Sequence, residues 1–185
     1  KSGNNKNATA TSNHEPTYSA SDSVLNGKPS VKSSTMTGKI GLNIPSSSQK
    51  EIFMVAYYKD GIDNNFDTHQ ALFTGSLHND GRFRTLGASG TAGLNPQSRF
   101  ADLLISKNGY ENSIQVLPLP ATVIRLKSNS TRTQAVNLLF DPNQTNRGWV
   151  GGIGEMIALS SEATSEEVTK ILGYLAHKWG IAYKL

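Results

Sequence analysis

The sequence contains no cysteine among its 185 residues, which excludes disulfide bonds and thiolate metal sites. It has no apolar run near the roughly 20 residues needed to span a bilayer, so we expect no membrane insertion. Charged residues make up only 17% of the chain, which disfavours coiled coils and helical bundles. Glycine, serine, threonine and asparagine are abundant instead. This composition is typical of short strands joined by many turns.

Runs of basic residues are also missing. The formal net charge is +4, and its excess lies in residues 1–50, where six lysines stand against Glu15 and Asp22. A nucleic-acid groove needs clustered lysine and arginine, usually interleaved with aromatic side chains. Because this sequence has neither feature, we expect no nucleic-acid partner.

Short β-prone runs alternate with turns through residue 159. The clearest run is 51–58, which is apolar on both faces. One face would carry Phe53, Val55 and Tyr57, and the other Met54, Ala56 and Tyr58. A strand of this kind belongs in the middle of a sandwich. Strands recur every 10 to 15 residues or so, which predicts an all-β fold, a two-sheet antiparallel jelly-roll sandwich.

The last part of the chain changes period and predicts one amphipathic helix over 164–180. Thr164 and Glu167 have the spacing of a capping box, and Gly180 suits the C-terminal cap. The apolar residues between them share one helical stripe: Val168, Ile171, Leu172, Leu175 and Trp179. We expect this helix to close a single domain of residues 1–185, in which 1–23 form an extended N-terminal arm.

Both ends of the chain carry recognisable motifs. Residues 152–157 read G-I-G-E-M-I, and residues 173–181 read G-Y-L-A-H-K-W-G-I. The opening contributes K-S-G-N at 1–4, A-T at 8–9 and N-G-K-P-S-V at 26–31. Together these motifs resemble the concanavalin A-like lectin/glucanase (laminin G-like jelly-roll) domains of bacterial surface proteins and bacteriophage virion proteins.

The resemblance implies a binding module that recognises carbohydrate on a cell or polymer surface. It also implies a location that is extracellular, on the cell surface or on a virion. Its partner would be a surface glycan or a neighbouring virion or surface protein. Two alternatives stay open: a structural, decoration or tail-fibre domain of a virion, and an unusual glycoside hydrolase. The Trp and Asp that often precede the opening motif are missing, so we expect the chain to be part of a longer protein.

Catalytic residues are not expected. Hydrolases of this fold carry clustered carboxylates on one strand, because a retaining glycosidase needs two carboxyl groups about 5 Å apart. Here Glu155 stands alone in its predicted strand, and Glu166 and Glu167 lie on the predicted helix. We therefore predict a non-enzyme in which Glu155 has a structural role.

The loop 60–67 is the one segment with a dense set of oxygen donors. Calcium takes six to eight oxygen ligands, and the candidates are Asp60, Asp63, Asn64 and Asp67. Sugar recognition uses aromatic rings beside planar polar side chains. We therefore predict a ligand site at this loop and at a neighbouring segment, formed by Asp63, Asn64, Asn65, Phe66, Asn108 and Tyr110.

Overall fold

The computed structural model describes residues 7–10, 12–75, 84–87, 89–95, 103–111 and 115–184. In these ranges the chain forms ten strands and one α-helix. They are β1 (Thr17–Asp22), β2 (Lys28–Ser33), β3 (Leu42–Tyr58), β4 (Gln70–Gly75), β5 (Arg84–Gly87), β6 (Leu94–Asn95), β7 (Leu103–Lys107), β8 (Tyr110–Glu111), β9 (Thr122–Leu138), β10 (Gly151–Leu159) and α1 (Ser165–Trp179). The paired strands are antiparallel, which confirms the predicted all-β fold with one C-terminal helix.

The sandwich is built by two long strands that its two halves share. β3 and β9 have 17 residues each and pair along their length, with register shifts near residues 44–47 and 49–51 of β3. Such irregularities bend a strand. The helix-covered half contains β1, β2, β10, residues 51–58 of β3, the first part of β9, β7 and β8. The outer half contains the remaining parts of β3 and β9 with β4, β5 and β6.

Residues 51–58 of β3 are buried on both faces, as their composition predicts. One face lies in an inner core with residues of both halves. Its members include Ile52, Met54, Ala56, Tyr58, Leu72, Phe73, Val136 and Trp149. The other face lies in a helix core that includes Phe53, Val55, Tyr57, Leu172, Leu175 and Trp179. Each fully buried large side chain contributes about 1.5–3 kcal/mol, so these two cores provide most of the stabilisation.

The helix begins and ends where its capping residues predict. The Thr164 hydroxyl accepts from the Glu167 amide at 3.2 Å, and the Thr164 amide donates to the Glu167 carboxylate at 2.8 Å. Gly180 adopts φ +64°, which is the left-handed conformation of a helix C-cap. No helix in the described ranges is long and apolar enough to cross a membrane.

The helix packs closely on β10 where the Trp179 ring lies against Gly154. Gly154 is the extra residue of a β-bulge opposite β3, and a Cβ there would lie 2.4 Å from the Trp179 ring. Trp179 can therefore rest directly on the backbone of β10. Its indole Nε1 donates to Glu155 at 2.9 Å, and the Tyr174 hydroxyl donates to the same carboxylate at 3.0 Å. Glu155 thus holds the helix on the sheet, a structural role.

The Gly154–Trp179 contact gives a stability prediction. Trp179→Ala should cost about 3–5 kcal/mol as a large-to-small core change. Gly154→Ala should cost about 1–3 kcal/mol, because the new methyl group overlaps the indole ring. In the Trp179→Ala background that second cost should largely disappear, since the ring is gone. Urea unfolding of the four proteins measures the coupling, and strictly additive losses would contradict the contact.

A buried polar cluster ties β1, β2 and β3 together. The carboxylate of Asp22, 2% exposed, accepts from the Ser30 hydroxyl at 2.6 Å and from the Tyr57 hydroxyl at 2.7 Å. Its other oxygen accepts from the Val24 amide at 3.0 Å. Burial alone would raise the pKa of Asp22, but these hydrogen bonds lower the pKa overall.

The depressed pKa of Asp22 predicts acid sensitivity. The stabilisation is complete above the unfolded-state pKa of about 3.9 and is lost as the pH falls through the lower folded-state pKa. Asp22→Asn should lower the free energy of unfolding at neutral pH. Between about pH 5 and pH 2 it should lose less stability than the wild type. Chemical denaturation across that range checks this, and parallel pH curves would contradict it.

Candidate functional site

The loop 60–67 begins directly after β3 and lies at one rim of the sandwich. Lys59 and Gly61 both have positive φ, +48° and +91°, and turn the chain away from the strand. A Cβ on Gly61 would lie 2.8 Å from Pro120 Cα, so this position requires glycine for both conformation and space. Asn64 and Asn65 are exposed.

Two of the three carboxylates of the loop pair with one lysine. Lys59 Nζ lies 2.7 Å from Asp67 and 3.3 Å from Asp63, and the hydrogen bond to Asp67 raises the pKa of the amine. Asp60 accepts from the Ile62 amide at 3.2 Å. No group of three or more metal-capable side chains occurs among the described residues. Of the predicted calcium set of Asp60, Asp63, Asn64 and Asp67, two carboxylates pair with Lys59, Asp60 accepts from a backbone amide and Asn64 is exposed.

Phe66 is a correction to the predicted ligand set. Its side chain is 1% exposed, and its ring lies 4.8 Å from that of Tyr58 and 5.8 Å from that of Trp149. Gly87 leaves room for the ring, because a Cβ there would lie 2.6 Å from it. The apolar side chain enters the core while its polar neighbours stay outside. Phe66 therefore anchors the loop and cannot serve as a surface platform.

Asn108 and Tyr110 lie at the same rim but apart from the loop. The two sites share this rim because β7 and β3 both end beside the start of β9. Its first residues pair with Lys107 of β7 and with Ala56 of β3. Residues 116–120 lie between the two sites. Lys107 Nζ donates to two carbonyl groups of this segment at 2.8 and 2.9 Å, and Gly61 lies against the other end of the segment. The predicted residues thus form two separate sets.

An asparagine–glycine turn presents Tyr110. Asn108 and Gly109 both have positive φ, +49° and +84°, which is the signature of a two-residue hairpin between β7 and β8. The Asn108 side-chain oxygen accepts from the Val123 amide at 2.8 Å. Its main-chain oxygen accepts from the Lys184 amide, also at 2.8 Å. The turn is therefore fixed from two sides.

Tyr110 borders a pocket of about 350 Å³, which we call the Tyr110 pocket. Its ring is 58% exposed, and Lys184 Nζ lies 5.4 Å from the ring centroid. The lining residues are Lys107, Asn108, Tyr110, Gln115, Ala182 and Tyr183. Burial lowers the pKa of Lys107. The pocket lining joins tyrosine residues, planar amides and the Lys107 amine, so it offers both apolar and polar contacts to a ligand.

Sequence reasoning missed Gln115 and Tyr183 at this pocket. The Asn108–Gly109 dipeptide was an available signal for the hairpin. Nothing in the sequence shows that residues 182–184, which follow the helix, return to this turn.

Comparisons with protein-family models, curated proteins and solved structures found no match. The resemblance to concanavalin A-like domains therefore stays a prediction, and the architecture is what the structure establishes.

The ion pairs of Lys59 set a condition for the calcium binding that the sequence predicts at the loop 60–67. A cation must displace Lys59, so calcium and chelator should give the same melting temperature for the wild type. Lys59→Met removes the competing charge, and calcium should then raise the melting temperature through binding to the folded state. A rise in the wild type that disappears in an Asp63→Ala, Asp67→Ala variant would contradict this expectation and support a native calcium site.

Proposed function

We propose that this protein is a non-catalytic binding module that recognises carbohydrate through the Tyr110 pocket. The observation that carries the proposal is an exposed aromatic ring held beside a fixed amide, at the rim of a rigid sandwich. Loops and turns on such scaffolds commonly carry binding function. The proposal retains Asn108 and Tyr110 from the sequence analysis and replaces Phe66 with Tyr183 as a second aromatic side chain.

The chemistry of the pocket matches both kinds of surface on a sugar. A pyranose ring presents C–H groups on one face, which pack on an aromatic ring, and hydroxyl groups at its edge. The Asn108 oxygen already accepts from the Val123 amide, so the NH₂ group of its side chain is the part that faces a ligand hydroxyl. The amine of Lys107 is held in place by two carbonyl groups and adds a further donor.

The absence of catalysis is also part of the proposal. The described lining of the Tyr110 pocket contains no aspartate or glutamate. Glycoside hydrolysis needs two carboxyl groups that flank the scissile bond. Glu155, the candidate from sequence, is hydrogen-bonded to Trp179 and Tyr174 under the helix. A module of this kind would act on the surface of a cell or polymer, in an extracellular or virion protein.

A glycan array at near-physiological salt tests the function, followed by titration of the best glycan. Tyr110→Ala should weaken binding by about tenfold or more, because the ring supplies the packing surface. Tyr18→Ala is the matched control, since Tyr18 is 69% exposed on β1 at the far edge of the helix-covered half. An array without a bound glycan, or equal losses in the two variants, would contradict the proposal.

A further inference from the structure

A second concave site lies between the two halves of the sandwich. It is a cleft of about 790 Å³, which we call the inter-sheet cleft. Both halves contribute apolar walls, among them Val31, Leu42, Ile44, Ile52 and Met156. A volume in the range of about 300–1,000 Å³ with mostly apolar walls is typical of small-molecule sites.

Most polar residues of the lining lie toward one end of the cleft, whereas Asn7 and Glu155 line it elsewhere and the Glu155 carboxylate is bonded to the helix. Ser47 and Gln49 lie where β3 passes from the outer half to the helix-covered half, and Ser160 follows the end of β10 nearby. At the other end, Leu42, Val31 and their neighbours are apolar. The cleft therefore has the polarity of a site for an elongated molecule with one polar head.

Four buried polar atoms without a hydrogen-bond partner occur at or beside that end: one belongs to Gln49, which lines the cleft, and three belong to the β9 residues that pair with Ser47 and Gln49. They are Gln49 Oε1, Gln134 Oε1, Gln134 Nε2 and Arg132 Nε. Directly opposed residues share one face of a sheet, and Gln49 pairs with Arg132 while Ser47 pairs with Gln134. Both glutamine residues are 2% exposed. An unpaired buried polar atom is costly, so its repeated occurrence at one place points to a ligand group that pairs with these atoms.

The existing hydrogen bonds define what that group must offer. Gln49 Nε2 donates to the Ser47 hydroxyl at 3.0 Å and to the Gln134 carbonyl at 3.2 Å. These two bonds fix the amide orientation, so Gln49 Oε1 requires a donor. Arg132 Nε carries a proton and requires an acceptor. A hydroxyl group meets both needs at once, whereas a carboxylate can pair with Arg132 but has no proton to give to Gln49.

We propose that the inter-sheet cleft binds a neutral amphiphile with an aliphatic chain and a hydroxylated head group. The chain lies along the apolar walls between the two halves. The head group hydrogen-bonds to Gln49, Gln134 and Arg132 at the bend of β3 and β9. This site is separate from the Tyr110 pocket, shares no lining residue with it and does not depend on the proposed function.

Calorimetric titration with three matched probes tests the proposal. The probes are monooctanoylglycerol, octanoate with a similar chain and a charged head, and glycerol without a chain. Monooctanoylglycerol should bind, octanoate should bind about tenfold more weakly or worse, and glycerol should show no binding. Tyr110→Ala should bind monooctanoylglycerol like the wild type, because that residue belongs to the other site.

Variants of the polar end complete the test. Gln49→Leu and Gln134→Leu should each weaken monooctanoylglycerol binding by about tenfold. Without ligand, Gln134→Leu should raise the melting temperature, because it removes two unpaired buried atoms. If one variant fails to fold, the other variant and the three probes on the wild type still test whether the cleft binds the amphiphile. Three results would overturn the proposal: monooctanoylglycerol fails to bind, octanoate binds as tightly, or folded glutamine variants keep full affinity.

Discussion

The whole architecture follows from one constraint, the need to cover both faces of residues 51–58. Seven of these residues, 52–58, are apolar or aromatic on alternating sides, and each exposed face would leave a large apolar surface in water. One face is covered because β3 and β9 continue into a second half that packs back over the first. The other face is covered by α1. The remaining strands extend the two layers that this central strand requires.

The polar groups of the interior serve the same arrangement. Glu51 is fully buried, pairs with Arg125 Nε and accepts from the Ala163 amide at 2.9 Å. It therefore joins β3, β9 and the segment that leads into the helix. Asp22 does the same for β1, β2 and β3, and Glu155 for β10 and α1. A carboxylate that is buried, as in Glu51 and Asp22, or partly buried, as in Glu155, is stabilised by its hydrogen bonds, so each of these residues specifies where its neighbouring elements must sit.

The sequence predicted those elements whose signal is local. The helix and its caps could be predicted because Thr164, Glu167 and Gly180 act on backbone groups within one or two helical turns of their own positions. Alternation predicted both faces of residues 51–58. The Phe66 error arose because loop composition suggested exposure, whereas the ring fills a space that Gly87 leaves open 21 residues later. The loop 60–67 was judged by its oxygen donors alone. Lys59, which directly precedes the loop and pairs with Asp63 and Asp67, was therefore overlooked.

The sites depend on contacts that no short pattern carries. The Tyr110 pocket needs residues that follow the helix to return to a hairpin far earlier in the chain. The inter-sheet cleft exists only because two long strands bend, and Gln49 and Gln134 are 85 residues apart. A polar residue within a β-prone run looks like a surface position, and only the register places these two amides in the interior.

The long separation in sequence between β3 and the helix that covers it has a consequence for biosynthesis. The apolar side of β3 that faces the helix is complete at Tyr57, but α1 begins only at Ser165. At a synthesis rate of roughly 5–20 residues per second, the ribosome needs on the order of 5 to 20 seconds to add the intervening segment. During that interval the nascent chain carries a strand whose natural cover has not yet been translated. We expect chaperones that bind extended apolar segments to recognise this strand until α1 has been translated.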